Sequence, residues 1–244
     1  MEVPEGRLCD LDMVNEQEGW IVGHEIILHY LNGGWETIAT DLDTNATCPS
    51  ISMINAEEGW IVGGQGRILH YGDGQWQEVA SPTSNHLQAI DMVSREEGWA
   101  VGDNSTLLHY QEGEWKLVSE APSYDLLVAL DWLNDGEGWT VGVLGTILKY
   151  SEGRWQRVES PIAGRELNIK LEAVDMISSD EGWSLGRHGT ILHYIEGAWK
   201  SVPSPTSQKL NGLDMLDKDI GWAVGQEGVI LQYIDGQWQE EESP

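Results

Sequence analysis

The sequence predicts an all-β protein, a six-bladed β-propeller with four antiparallel strands in each blade. A motif of the form Gly-Trp-x-Val/Leu-Gly recurs six times in 244 residues, and a period of about 40 residues with several short strands is typical of propellers and solenoids. The composition, with 29 Gly and no Phe, suits many short strands joined by glycine turns. The motif tryptophans are Trp20, Trp60, Trp99, Trp139, Trp183 and Trp222.

Each repeat predicts four strands, A to D. Strand A alternates apolar and acidic residues, as in Ile90-Asp91-Met92-Val93, and strand B is the Gly-Trp motif itself. Strand C has the form Ile/Leu-Leu-His-Tyr, and strand D starts at a second tryptophan, as in Trp76-Gln77-Glu78-Val79. A short turn such as Gly72-Asp73-Gly74 predicts a hairpin between strands C and D. Strands this short cannot bury their aromatic faces alone, so neighbouring repeats must pack against each other.

We expect one domain over residues 1–244, in which one contiguous repeat forms each blade and Trp and Tyr side chains fill the space between blades. Because the sequence begins with a strand A and ends with a strand D, closure would rest on packing between the first and last blades. We expect a closed monomeric ring, and an incomplete ring that pairs with another copy is the alternative. The predicted blades are residues 8–39, 48–80, 87–119, 126–159, 171–203 and 210–240.

The charge of the chain argues against two classes of partner. There are 41 acidic and 13 basic residues, a formal net charge of −28, and no cluster of Lys and Arg along the sequence. Such a surface repels nucleic-acid phosphates and anionic membranes, and it attracts cations or basic protein patches. The sequence lacks an apolar run of the roughly 18 residues that span a bilayer, and it lacks the apolar region of a signal peptide. We expect a soluble protein, either cytoplasmic or exported with its signal removed.

The two cysteines, Cys9 and Cys48, lie in or just before strand A of the first two repeats. The first strands of adjacent repeats would make them spatial neighbours. Two cysteines do not form a disulfide framework, so we expect buried free thiols, with a disulfide as the alternative.

The run from Gly221 to Leu231, Gly-Trp-Ala-Val-Gly-Gln-Glu-Gly-Val-Ile-Leu, resembles the propeller repeats of photosystem II assembly/stability factors. It also resembles their bacterial relatives, which are grouped with BNR (sialidase-type) repeats. The resemblance covers residues 8–240 and implies a non-catalytic scaffold for a client protein. Members of that family have seven blades, lie in the lumen or periplasm and hold the client through a basic patch, whereas this chain has six repeats and a strongly acidic balance. The arginine triad that sialidases require has no repeated counterpart here.

One position of strand C is histidine in four repeats, which suggests a ring of metal ligands. Equivalent atoms of adjacent blades should be about 10 Å apart or more, given a strand spacing near 4.8 Å, whereas zinc ligands lie about 2 Å from the ion. We therefore expect each histidine to be hydrogen-bonded within its own blade, and we expect no metal or cofactor. The four histidines are His29, His70, His109 and His193.

Strand A carries an aspartate at one position in five repeats, with Ser52 in the remaining one. An acidic ring that holds a cation is one hypothesis. The other is that each aspartate accepts a backbone N–H group of the following turn, and we favour it because functional sites usually break the symmetry of a repeat. The segment 41–45 begins like a calcium loop but lacks the Gly and Glu that such a loop needs at its sixth and twelfth positions. The aspartates are Asp12, Asp91, Asp131, Asp175 and Asp214.

The connections between repeats vary more than those within a repeat, and in a propeller the D–A and B–C connections lie on one face. Variable loops on a rigid scaffold are where binding residues concentrate. We therefore expect a non-catalytic binding or scaffolding module, with a protein or peptide ligand over the central axis on this loop face. The predicted ligand-binding residues are Arg67, Asp103, Asn104, Arg187, His188, Glu227 and Tyr124.

Two other functions are alternatives. Exposed aromatic residues such as Tyr124 would suit a carbohydrate-binding, lectin-like propeller. The other alternative is an enzyme whose residues converge from several blades. No Ser/His/Asp, Cys/His or paired-carboxylate arrangement is legible in the sequence, so we expect no catalytic residues.

Overall fold

The computed structural model describes residues 7–38, 48–133, 136–164 and 168–241. Within these residues it contains 24 strands in six four-stranded sheets and four short 3-10 helices. Each sheet is antiparallel and is formed by one contiguous repeat. The predicted fold class, a six-bladed β-propeller with four antiparallel strands in each blade, is confirmed. None of the helices in the described part of the chain is long and apolar enough to cross a membrane.

The chain divides into two compact units, residues 1–121 and 122–244, with three blades in each. In the first unit, 3-10 helices at Gly64–Gly66 and Asp103–Ser105 follow strand B of blades 2 and 3. The strands of blade 1 are β1 (Leu8–Asn15), β2 (Glu18–Gly23), β3 (Ile26–Leu31) and β4 (Gly34–Ile38); those of blade 2 are β5 (Ser50–Asn55), β6 (Glu58–Val62), β7 (Ile68–Gly72) and β8 (Gln75–Val79); those of blade 3 are β9 (Leu87–Met92), β10 (Gly98–Gly102), β11 (Leu107–Gln111) and β12 (Glu114–Leu117).

The second unit repeats this arrangement. Its 3-10 helices, Arg187–Gly189 and Gln226–Gly228, follow strand B of blades 5 and 6. The strands of blade 4 are β13 (Leu127–Leu133), β14 (Glu137–Gly142), β15 (Ile147–Ser151) and β16 (Arg154–Arg157); those of blade 5 are β17 (Leu171–Ser178), β18 (Glu181–Gly186), β19 (Ile191–Ile195) and β20 (Ala198–Val202); those of blade 6 are β21 (Leu210–Met215), β22 (Gly221–Gly225), β23 (Ile230–Ile234) and β24 (Gln237–Glu240).

The first glycine of the Gly-Trp motif makes room for a methionine of strand A. A Cβ atom on Gly98 would lie 2.2 Å from Sδ of Met92, so a larger residue would displace the methionine. The same close approach, at 2.1 to 2.3 Å, recurs in five blades, and in blade 4 Trp132 replaces the methionine opposite Gly138. The recurrence of glycine at this position therefore follows from packing within the blade.

The strand-C histidines are structural. His109 stacks on Trp99 with ring centroids 4.0 Å apart, and its Nε2 lies 3.4 Å from Oε1 of Glu97. Burial lowers the pKa of His109 although the hydrogen bond with Glu97 opposes this, so the neutral ring is favoured. The prediction of a hydrogen bond within the blade is confirmed here and at His29 and His193, and the matching contact of His70 is longer, at 3.6 Å.

Within each unit, a tryptophan of one blade packs against a Tyr–Trp pair of the next. Trp20 lies 4.8 Å from Tyr71 and 5.5 Å from Trp76 between ring centroids, and the two indoles are almost perpendicular. Edge-to-face contacts of this kind are favoured by the ring quadrupoles. Apolar clusters surround these rings, so the cores of both units lie between blades. The other three examples are Trp60 with Tyr110 and Trp115, Trp139 with Tyr194 and Trp199, and Trp183 with Tyr233 and Trp238.

The strand-A aspartates also join successive blades. Asp12 in blade 1 accepts a 2.6 Å hydrogen bond from the backbone N–H of Met53 in blade 2. Ser52 accepts the corresponding bond from Met92 through its hydroxyl group at 3.1 Å. The predicted structural role is confirmed, but the partner is strand A of the next blade and not the following turn. Asp131 and Asp175 make the same contact in the second unit.

The two cysteines form a disulfide between blades 1 and 2. Cys9 lies in β1 and Cys48 just before β5, with their Cα atoms 5.4 Å apart. The expectation of free thiols was wrong, because the start of strand A in one blade lies beside the start of strand A in the next, which brings the two sulfur atoms within bonding distance. The segment 41–45 with its calcium-loop pattern lies outside the described residues.

Candidate binding site at the loop end of the blades

The B–C and D–A connections meet at the same end of each blade, as the topology predicts. Arg187, which begins a B–C turn, donates its backbone N–H to the carbonyl of Lys170, the last residue of a D–A loop, at 3.0 Å. Asp103 and His86 make the same contact in the first unit, at 2.9 Å. This end of the blades, called the loop end below, is therefore braced by main-chain hydrogen bonds.

The B–C turns have a left-handed backbone at their apex. In blade 5, φ is 58° at His188 and 66° at Gly189. A Cβ atom on Gly189 would lie 1.9 Å from the carbonyl oxygen of Thr206, so the following D–A loop rests directly on the turn. Gly66 and Thr83 repeat this approach at 2.1 Å. The loop end is a closely packed surface on which the backbone of each of these turns is held against the neighbouring D–A loop.

The predicted site residues of the first unit make separate contacts. Arg67 donates from Nη2 to Glu78 on strand D at 2.8 Å. Asp103 accepts a hydrogen bond from Gln88 at 3.1 Å, and Asn104 is exposed at the apex of its turn. The structure thus places these residues on neighbouring B–C turns, and Arg67 is directed along its own blade towards the outer strand.

Of the predicted site residues in the second unit, Arg187 belongs to a group of charged side chains around Glu172. Nε of Arg187 lies 3.6 Å from Oε1 of Glu172. His188, the next residue, is exposed at the apex of the turn. Glu227, at the same position of blade 6, is also exposed and accepts a 2.9 Å hydrogen bond from Gln208.

Tyr124 projects from the D–A loop that precedes blade 4. Its side chain is the most exposed large apolar group among the described residues, at 93%. The loop itself is ordered by its neighbours, because Ser123 donates to the Asp125 carboxylate at 2.9 Å and accepts the backbone N–H of Asp125 at 3.1 Å. Tyr124 therefore presents an aromatic ring on a fixed loop.

Three cations converge on one buried carboxylate at the loop end of the second unit. Nζ of Lys170 lies 2.7 Å from Oε2 of Glu172, and Nζ of Lys209 lies 3.1 Å from Oε1. Arg187 approaches the same Oε1 atom. The Glu172 side chain is only 7% exposed, whereas that of Arg187 is 45% exposed. We call Lys170, Arg187 and Lys209 with Glu172 the basic cluster.

Of the basic cluster, only Arg187 is among the predicted ligand-binding residues, because the three cations are not close together along the sequence. They are 17 and 22 residues apart along the chain. They meet because Lys170 and Lys209 immediately precede strand A of blades 5 and 6, and Arg187 immediately follows strand B of blade 5. A signal was present in the repeat itself, since the positions of Lys170 and Arg187 are occupied by uncharged residues in blades 2 and 4.

The basic cluster has the chemistry of an anion-binding site. One carboxylate among three cations leaves a formal excess of two positive charges, in a chain whose net charge is −28. Glu172 holds the three cationic side chains in place before a ligand binds, so less side-chain conformational entropy is lost on binding. The planar guanidinium of Arg187 carries several N–H donors, which suit a carboxylate or phosphate.

A cavity of about 610 Å³ opens at the opposite end of the blades in the first unit. Glu58, His70 and Arg95 line it, and Nε of Arg95 lies 3.0 Å from the Glu58 carboxylate. The Glu–His pair in its wall is a feature of the repeat, since the same pair recurs in blades 1, 3 and 5. We therefore regard these residues as structural and the basic cluster, whose Glu172 and Arg187 are not repeated in the other blades, as the better candidate site.

The fold places the chain among the β-propellers, and several solved structures share it. YCF48 bound to a D1 peptide aligns with a TM-score of 0.77 and 19% identity over 98% of this chain and 82% of that chain. YCF48 from Cyanidioschyzon merolae aligns with a TM-score of 0.76 and 20% identity over 98% and 87%. The extracellular domain of the hybrid two-component system BT4673 from B. thetaiotaomicron aligns with a TM-score of 0.78 and 13% identity over 100% of this chain. This chain covers only 34% of that much longer one.

These similarities concern the fold. The sequence matches no protein-family model and no curated protein. The resemblance to the photosystem II assembly/stability factor family that the repeat motif predicts is confirmed at the level of the propeller, since YCF48 is one of the structures that align over nearly the whole chain.

Proposed function

We propose that this protein is a non-catalytic binding module that holds a peptide or protein at the loop end of its blades, with a carboxylate of the ligand on the basic cluster. The observation that carries the proposal is the convergence of Lys170, Arg187 and Lys209 on the buried carboxylate of Glu172. A purely structural ion pair needs one cation. Three cations, one of them nearly half exposed, provide positive charge beyond what Glu172 neutralises.

Two further observations support a peptide or protein ligand. The basic cluster lies on a loop end that main-chain hydrogen bonds and close packing keep rigid, which lowers the entropy lost on binding. One solved structure with this fold, YCF48, is a complex with a D1 peptide, so a propeller of this kind can bind a peptide. The identity of 19% transfers the fold and leaves the ligand of this chain as our proposal.

Other predicted residues would surround the anchor. His188 and Glu227 are exposed on the B–C turns of blades 5 and 6, next in sequence or in space to members of the basic cluster. We propose that they contact the ligand beside its carboxylate. Arg67, Asp103, Asn104 and Tyr124 remain predicted contacts for other parts of a protein-sized ligand.

The chemistry of the described residues favours binding over catalysis. Both cysteines are joined in a disulfide, so neither is a nucleophile. His109 and His193 are stacked on tryptophans, and burial lowers the pKa of each. Both cysteines and these two histidines are thus committed to the structure of the blades.

The test is a comparison of peptide binding by two charge-matched variants. The site variant is K170Q/E172Q/R187Q/K209Q, in which Glu172 is also neutralised so that no buried charge is left unpaired. The control is K116Q/K200Q, which removes the same net charge from exposed positions of strand D. The probe is a library of random 12-residue peptides with free C-terminal carboxylates, presented alongside an amidated set.

We expect the wild-type chain and the control to enrich peptides that carry a carboxylate, and we expect the site variant to bind them about 10 to 100 times more weakly, as lost charge-assisted hydrogen bonds predict. Equal binding by the site variant, or equal enrichment of neutral amidated peptides, would overturn the proposal. Thermal midpoints within a few degrees of each other confirm that the variants are folded. Binding of a neutral sugar that depends on Tyr124 would favour the lectin alternative instead.

A further inference from the structure

A histidine lies beside the disulfide that joins blades 1 and 2. The two sulfur atoms of Cys9 and Cys48 and one ring nitrogen of His24 all lie within 4.8 Å of one another. The Nε2 atom of His24 is buried and has no hydrogen-bond partner among the described residues. Buried polar atoms usually have such a partner, and neutral imidazole is the commonest metal ligand in proteins. The His24 ring is therefore available as a ligand next to two sulfur atoms.

These three residues depart from the repeat. Cys48 occupies the position that is leucine in the other five blades, for example Leu87 in blade 3. His24 is the first residue of a B–C turn that is one residue shorter than the other five, and no other blade has histidine at that position. The packing that all blades share does not require either side chain, so their meeting is particular to blades 1 and 2.

Contacts that do not involve the disulfide hold this arrangement in place. His24 donates its backbone N–H to the carbonyl of Arg7 at 2.9 Å, which fixes the start of the turn. The carboxylate of Asp10 in blade 1 accepts the hydroxyl of Ser50 at 2.8 Å and the backbone N–H of Ile51 at 2.9 Å, both in blade 2. Strands A of the two blades thus stay joined when the disulfide is opened. The cysteines, with Cα atoms 5.4 Å apart, remain side by side as thiols.

Two thiolates and one imidazole are a donor set that suits zinc. Bonds of about 2.3 Å to sulfur and about 2.0 Å to nitrogen place the ligand atoms of a tetrahedral site roughly 3.5 to 3.8 Å apart. Because the three atoms already lie within 4.8 Å of one another, small side-chain rotations would give this geometry once the sulfur–sulfur bond is broken. All three side chains are half-buried, so an ion can reach them from solvent. The fourth position would be left to water, as at zinc sites with three protein ligands.

We propose that Cys9, His24 and Cys48 bind a zinc ion when the disulfide is reduced, and that oxidation of the two thiols releases the ion. A dithiol reductant breaks the sulfur–sulfur bond by exchange: it supplies two electrons and two protons, and it becomes a disulfide itself. Zinc then displaces one proton from each protein thiol and binds both thiolates and Nε2 of the neutral His24 ring.

The reverse reaction needs a disulfide oxidant. The two thiolates give up two electrons and form the protein disulfide, the oxidant takes these electrons with two protons from solvent to become two thiols, and the ion leaves. Disulfides persist in oxidising compartments and thiols in reducing ones, so the surroundings of the protein would select between the two states. The sequence prediction of no metal was drawn from the histidines of strand C, and His24 lies on a B–C turn.

Zinc titration of the reduced chain tests this site. The protein is reduced with a dithiol, which is removed under argon, and is titrated with Zn²⁺ and separately with Co²⁺, whose thiolate complexes have a charge-transfer absorption. The site variants are H24N and C9S/C48S. The control is H86N, which replaces a half-buried histidine on the D–A loop before blade 3. The oxidised wild-type chain measures adventitious binding to the acidic surface.

We expect the reduced wild-type chain and reduced H86N to bind one zinc ion, to release about two protons at pH 7 and to show the cobalt–thiolate absorption. H24N should bind zinc at least about 100 times more weakly, since even the loss of a second-shell partner costs about 10- to 100-fold. C9S/C48S and the oxidised chain should bind zinc only as weakly as exposed carboxylates do. Zinc should raise the thermal midpoint of the reduced wild-type chain and leave that of C9S/C48S unchanged.

Three results would overturn the proposal. Equal zinc affinity of the reduced and oxidised wild-type chains would place the ion on the acidic surface. Equal affinity of H24N and the wild-type chain would exclude the histidine from the site. The third is a reduced chain that is unfolded both with and without zinc. Folding of the reduced chain only when zinc is added would support the site, because metal binding then supplies free energy of folding.

Discussion

Asp175 lies on strand A of blade 5, where its carboxylate accepts the 2.6 Å hydrogen bond from Met215 in blade 6. Burial raises the pKa of Asp175 to about 6, the hydrogen bond opposes the rise, and the charge of Asp214 adds to it. A folded-state pKa above the unfolded value of 3.8 means that the folded chain binds more protons between these two values. The free energy of unfolding contributed by this group therefore falls as the pH rises from about 4 to about 6.

Asp175→Asn should consequently stabilise the protein at neutral pH. The amide oxygen can still accept the N–H of Met215, and no charge has to be buried. The difference between the folded and unfolded pKa of Asp175 limits the gain in the free energy of unfolding to about 3 kcal/mol. We expect roughly half of this gain, because a hydrogen bond to an amide is weaker than one to a carboxylate. Urea unfolding at pH 8 and at pH 4 measures the difference, which should disappear at the lower pH.

Asp235→Asn is the control for the loss of one negative charge. Asp235 lies in an exposed hairpin turn of blade 6, where asparagine also tolerates the left-handed backbone. If the two variants gain equal stability at pH 8, the effect of Asp175→Asn arises from the net charge of the molecule and not from burial of this carboxyl group.

At the scale of the element, the B–C turn of blade 5 depends on a glycine for two separate reasons. Gly189 has a φ of 66°, and a Cβ atom there would meet the carbonyl oxygen of Thr206 at 1.9 Å. Gly197, in the C–D turn of the same blade, has a φ of 76° and open space around it. Substitution of Gly197 therefore measures the cost of the left-handed backbone alone, and substitution of Gly189 measures that cost together with the clash against the D–A loop.

Gly197→Ala should lower the free energy of unfolding by about 1 kcal/mol, the cost of a left-handed backbone for alanine. Gly189→Ala should lower it by about 3 kcal/mol, because the D–A loop must also move away from the turn. Chemical denaturation measures both values. An equal decrease in the free energy of unfolding of the two variants would show that the loop around Thr206 moves away at little cost. The loop end would then be less rigid than its contacts indicate.

The strands could be predicted because each one is specified locally. Gly98 and Trp99 stand in a motif whose spacing predicts strand B, and the turn that follows has a left-handed backbone at Asn104 and Ser105. The roles of the repeated histidines followed from symmetry in the same way. A residue that occurs at one position in several blades is held by contacts that the repeat itself provides.

The candidate site could not be predicted to the same degree, because it depends on departures from the repeat. Arg187 was predicted from its place on a variable turn. Lys170 and Lys209 join it at Glu172 because blades 5 and 6 pack side by side, and the spacing of these residues along the sequence does not show that contact. The hydrogen bonds of the strand-A aspartates were assigned to the wrong partner for a related reason. A contact between blades is set by packing, and the sequence specifies only the surfaces that pack.

At the scale of the whole molecule, repulsion among the acidic side chains destabilises the folded chain, and ion pairs stabilise it. The 41 acidic residues outnumber the basic ones by 28, so the folded chain repels itself at low ionic strength. Exposed ion pairs such as Lys116 with Glu112 contribute little to stability, and salt weakens them. With only 13 basic residues available to form such pairs, the repulsion is the larger effect.

Added salt should therefore stabilise this protein. Between about 0.02 M and 0.5 M NaCl the Debye length falls from about 20 Å to about 4 Å, which screens the repulsion between neighbouring blades and turns. We expect the thermal midpoint to rise by about 2 to 8 °C, the change that about 1 to 2 kcal/mol produces in a chain of this size. The variant E57Q/E240Q, which removes two exposed charges, should have a higher midpoint at low salt and a smaller response to NaCl. A midpoint that is unchanged or falls on adding salt would mean that the ion pairs, among them those of the basic cluster, outweigh the net charge in holding the blades together.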